Sequence, residues 1–103
     1  MNARKIISAA FLPVLIAGSA QALAADPHLA RNLAATCANC HGTGGKSLDD
    51  NIPSLAGAEG AKLSQTMKDF KSGAKPATVM HQIAKGYSDA QIEMISAYFA
   101  ARK

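Results

Sequence analysis

Two cysteines and a histidine within five residues, Cys37-Ala38-Asn39-Cys40-His41, constrain this chain more than anything else in it. They are the only cysteines among 103 residues. On a helical turn, sulfurs at i and i+3 lie on one side, and the residue after them offers a third donor. A disulfide between them would close a very small loop, restrict little of the unfolded chain, and give no reason for His41. A thioredoxin-like redox pair needs a βαβ setting, and no strand-like alternation precedes Cys37. A structural zinc site wants four ligands, usually in two spaced pairs. His28 and His81 are left to complete one, and neither lies near a second cysteine. The use that fits is covalent attachment of haem c by two thioethers, with His41 beneath the iron.

The start of the chain reads as an export signal. Arg4 and Lys5 form a positive n-region, Ile6 to Ala17 an apolar run, and Ala22-Leu23-Ala24 a small-residue cleavage pattern. The apolar run falls short of the roughly 20 residues that a membrane-spanning helix needs. The expectation is a signal peptide over residues 1–24, removed, and a monohaem domain over 25–103. The domain would be periplasmic, with no stable membrane insertion. Export agrees with the pentapeptide, because bacterial c-type haem is attached outside the cytoplasm. The net charge of +4 would fall with Arg4 and Lys5, leaving nine basic residues against seven acidic. That balance does not resemble the basic stripe of a nucleic-acid binder. A domain this small buries a modest core and commonly needs a staple. With no tryptophan and five aromatic residues in the chain, a buried porphyrin would supply it.

No repeat and no period-2 pattern long enough for a strand follows the signal. The spacing predicts an all-α domain of three or four short helices separated by glycine- and proline-marked loops. The first helix is expected from the N-cap Asp26 with Pro27 at its first position, its face formed by Leu29, Leu33 and Cys37. The next is expected from about Ala58 to Lys71, with Leu63, Met67 and Phe70 on one stripe, ended by Gly73 and Pro76. A turn through Thr78-Val79-Met80-His81 continues helically to Lys85. The last helix opens with a capping box, Ser88 and Gln91, and buries Ile92, Ile95 and Phe99, with Tyr98 beside them. The terminal helices should cross, since Ala30 and Ala34 permit close approach.

The sixth iron ligand sets the function. A thioether opposite histidine raises the reduction potential and closes the iron, which suits electron transfer. Met67 and Met94 lie on helices, where methionine ordinarily packs a core. Met80 falls between helices after Pro76, so position favours it over its neighbour His81, which would give bis-histidine ligation. His28 is expected at the surface. Lys46, Lys62, Lys68, Lys71, Lys75 and Lys85 are candidates to ring the haem edge and steer an acidic partner, against the plain reading that they keep a small domain soluble.

These residues resemble class I cytochromes c, and within them the bacterial branch that includes cytochromes c4 and the haem subunit of flavocytochrome c sulfide dehydrogenase. The resemblance rests on Cys37 to Gly42, on Pro53-Ser54-Leu55-Ala56-Gly57, on Met67 to Gly73, and on Met80 followed by Ile83 to Asp89 and Ala97-Tyr98-Phe99. It implies the small class I cytochrome c fold wrapped around one covalent haem. It implies thioethers at Cys37 and Cys40, and His41 and Met80 as axial ligands. The Pro53 carbonyl would accept from the His41 ring, and Leu55, Leu63, Phe70 and Ile83 would line the pocket. Some sulfide-dehydrogenase haem subunits carry two haems, whereas this chain has one motif. The expected function is electron transfer and not enzymatic catalysis. Redox partners would be a sulfide-oxidising flavoprotein, with the chain as its cytochrome subunit, or a terminal oxidase or reductase. The competing class is a haem enzyme or gas sensor with an open sixth position.

Overall fold

The computed structural model describes residues 26–103. The expected export signal and its cleavage site lie outside these residues. Within them the chain is helical, without strands. Five α-segments follow one another: α1 (Leu29–Ala34), α2 (Ala38–His41), α3 (Gly60–Ser72), α4 (Met80–Lys85) and α5 (Asp89–Ala100).

The first expected helix is divided. A 3-10 turn, Ala35–Cys37, tightens the chain between α1 and α2, so the run to His41 is continuous but not one regular helix. Its start also differs from expectation. Asp26 accepts from the His28 N–H at 2.8 Å through Oδ1, and its carbonyl accepts from Leu29 N at 3.1 Å. This closes a turn over Pro27 and His28, and regular helix begins only at Leu29. Leu29 is not on the buried face but 39% exposed; Ala34, 3% exposed, takes that place.

Ala34 packs against Ile95 and Phe99 of α5, with Leu33, Cys37, Leu55, Leu63, Tyr87 and Tyr98 around them. The terminal helices therefore meet as expected, and the small Ala34 side chain lets them approach. α3 packs on both α4 and α5. It begins at Gly60 rather than Ala58, because the Gly57 N–H donates to the Phe99 carbonyl at 2.9 Å and Ala58 N closes a turn onto Leu55 at 3.2 Å. It ends where Gly73 adopts a left-handed φ of 83°. The expected capping box opens α5: Ser88 Oγ accepts from Gln91 N at 3.1 Å, and Gln91 Oε1 accepts from Ser88 N at 2.9 Å. Ile92, Ile95 and Phe99 are all buried on that helix.

Candidate functional site

Cys37 closes the 3-10 turn, and Cys40 and His41 end α2. Both thiols are free, Cys37 half-buried and Cys40 exposed. Burial pushes the Cys37 thiol above its usual value, more than the neighbouring Thr36 hydroxyl lowers it. His41 is buried at 9% exposure.

A loop over residues 42–57 presents a carbonyl to the His41 ring. Gly42, at φ 83°, ends α2 and turns the chain away. The Gly45 carbonyl accepts from Leu55 N at 2.8 Å and Ala56 N at 3.0 Å, drawing the far arm of the loop back. Ser54 Oγ accepts from Ser47 N at 2.9 Å, and Asp49 Oδ1 accepts from Asn51 N at 2.8 Å, tightening the tip. The Pro53 carbonyl oxygen thereby lies 2.7 Å from His41 Nδ1. A carbonyl can only accept, so Nδ1 carries a proton, and in the neutral imidazole this leaves the lone pair on Nε2. Such a contact fixes both the tautomer and the plane of a ligating imidazole.

Met80 belongs to a separate element. It is not in a turn, as its position suggested, but is the first residue of α4, half-buried. Val79 and Ile83 beside it are 52% and 45% exposed, one helical turn apart on the same side. His81 faces a groove of about 280 Å³ with Phe70, Pro76, Ala77 and Lys85, and its Nδ1 is buried with no hydrogen-bond partner among the described residues. His28 is exposed, as expected. Leu55 and Leu63 reach the central cluster, while Ile83 stands clear of it.

Two of the six lysines named above are committed elsewhere. Lys68 pairs with Glu93, and Lys71 with Asp89 at 2.8 Å, both across α3 and α5. Lys75 lies 5.3 Å over the Phe70 ring. The sequence offered no sign of one further contact: the Thr36 and Tyr87 hydroxyls, 51 residues apart, lie 2.9 Å from each other and share a hydrogen bond. Tyr87 lies within the Ile83 to Asp89 run, but nothing in the sequence pairs it with Thr36.

The donor set fits a covalently bound haem. Two cysteines precede a buried histidine whose Nε2 makes no hydrogen bond among the described residues, and apolar Val79 and Ile83 flank a thioether on another element.

Residues 24–99 match the family model described as cytochrome c oxidase, cbb3-type, subunit III. A cytochrome subunit of sulfide dehydrogenase from Chlorobaculum tepidum is 42% identical over 67 residues, covering 65% of this chain and 60% of that one. A thiosulfate dehydrogenase electron acceptor from Thiomonas intermedia is 32% identical, over 64% of this chain and 32% of its own length. Cytochrome c-554(548) from Halomonas halodenitrificans is 34% identical, over 66% of this chain and 86% of its own. The chain thus spans 60% and 32% of the length of the first two relatives. Fold and matches together place it among the c-type cytochromes: the chain belongs to that family. The cofactor of that family is covalent haem c with its iron.

Proposed function

We propose that this is an exported monohaem cytochrome, residues 25–103 after removal of a signal over 1–24, that carries electrons in the periplasm as the cytochrome subunit of a sulfide-oxidising flavoprotein. Cys37 and Cys40 hold the haem by thioethers, and His41 Nε2 and the Met80 sulfur ligate its iron. The haem supplies a one-electron couple, whose potential a histidine–methionine ligand pair raises. His41 is held in one tautomer by Pro53, so ligation costs no reorganisation of its ring. Val79 and Ile83 offer apolar surface beside Met80, and a low-polarity surround favours the less charged ferrous state. The observation that carries this reading is the 2.7 Å contact between His41 Nδ1 and the Pro53 carbonyl, which readies the buried imidazole as a ligand directly after two free thiols.

The sulfide-oxidising partner is favoured by the 42% identity to the Chlorobaculum subunit. A thiosulfate-oxidising dehydrogenase is the second reading, favoured by the similarity to the Thiomonas electron acceptor. Lys46, Lys62, Lys75 and Lys85 are not in ion pairs among the described residues, and they are the ones available to steer an acidic partner. Purification from the native host at low salt decides between the partners. A flavoprotein that accompanies the haem and reduces it on addition of sulfide supports the first, and reduction by thiosulfate alone supports the second. For the ligand, Met80→Ala in the oxidised holoprotein should abolish the red-edge sulfur-to-iron charge-transfer band. An unchanged spectrum removes Met80 from the iron.

A further inference from the structure

We propose that Tyr87 is a positioning residue for the Met80 side of the site, acting through its hydrogen bond to Thr36; this rests on the reading of Met80 as an iron ligand. The two halves of the site belong to different parts of the fold. Cys37, Cys40 and His41 lie on the run from α1 to α2, whereas Met80 opens α4. α4 has six residues and no side-chain N-cap, and a helix of that length has no stability of its own in water. Its position is set by what it touches.

One side of α4 packs on α3. The other anchor is Tyr87, just past its end. The Tyr87 N–H donates to the Ala84 carbonyl at 3.2 Å, closing the last turn of α4, and its ring packs against the cluster of Ala34, Ile95 and Phe99. Its hydroxyl meets that of Thr36, 2.9 Å away, and Thr36 immediately precedes Cys37. Among the described residues this is the one hydrogen bond that ties the α1–α2 run to the junction of α4 and α5. α3 refers Met80 to the rest of the bundle; the Tyr87–Thr36 clasp refers it to the segment that bears the cysteines and His41. Loosening the clasp therefore lets α4 move away from that segment without unfolding α1, α3 or α5.

The test uses oxidised holoprotein carrying Tyr87→Phe, Thr36→Val or both, with Met80→Ala alongside. Entry of added imidazole, followed by loss of the red-edge sulfur-to-iron band, reports how often Met80 leaves the iron; urea unfolding followed by far-ultraviolet circular dichroism reports global stability. Each single variant should speed imidazole entry about fivefold, the worth of one ordinary hydrogen bond. The unfolding midpoint should move little, the double variant should be no faster than either single one, and Thr36→Ser should retain the slow entry. Unchanged entry rates, additive effects in the double variant, or entry that rises only in step with global unfolding would overturn the clasp. A band missing from the unaltered protein, or surviving in Met80→Ala, overturns the ligand reading and the clasp with it.

Discussion

Gly42, the residue after His41, shows how one position controls the site. Its φ of 83° turns the chain out of α2, and a Cβ there would fall 1.9 Å from the Lys46 carbonyl oxygen. That oxygen belongs to backbone and cannot swing aside as a flexible side chain would. Gly42→Ala is expected to destabilise the holoprotein by roughly 3 kcal/mol or more, read as a lowered urea midpoint. Gly45 is also closely approached, its absent Cβ lying 2.7 Å from the Phe99 ring. The cysteines and His41 were legible because their chemistry depends on covalent spacing along five residues. The glycines read only as helix breakers. What makes them irreplaceable is the return of the chain against them, at Lys46 and at Phe99. Thr36 was not legible at all, since its partner is 51 residues away.

Among the elements, α5 was the most readable. Its capping box and its buried Ile92, Ile95 and Phe99 follow from local pattern. Ser88→Ala removes the acceptor for Gln91 N and should cost about 1 kcal/mol, measured by chemical denaturation, with Ser88→Asp recovering most of it. The opening of the first helix was less readable. Asp26 and Pro27 have the composition of a helix start, but the Asp26 side chain captures the His28 N–H two residues on and delays the helix to Leu29. The placement of Met80 failed for a related reason. Pro76 and the residues after it signal a turn, yet the turn is spent by Val79, and Met80 already sits in α4.

At the scale of the whole molecule, α3 and α5 are tied by charge as well as packing. The Lys68 ammonium holds the Glu93 carboxyl below the usual carboxylate range, with Ser64 Oγ donating to it at 2.6 Å. Lys71 does the same for Asp89. A carboxylate with a depressed folded-state pKa contributes stability above its ordinary range and loses it as pH falls through the depressed value. Lys68, raised by Glu93, contributes below the ordinary lysine range and loses its share only as pH rises past the raised value. The pairs are therefore intact at neutrality and fail on the acid side. Glu93→Gln should lower the urea midpoint at neutral pH, and this difference should shrink as pH falls below the ordinary carboxylate range and through the depressed value. The effect at neutrality should be small, because both partners are solvated, and should shrink in high salt. Two lysines bound in this way are withdrawn from the set that faces a partner.

Short-range rules settled the helical character and the cap of α5, because each depends on residues within one or two turns of one another. The Pro53 carbonyl that meets His41 was expected from the family resemblance, whereas the pairing of Lys68 and Lys71 with α5 and the meeting of Thr36 with Tyr87 span 18 to 51 residues. Only the folded bundle brings such groups within reach, since side-chain spacing along a chain carries no information about which distant segment will return to it.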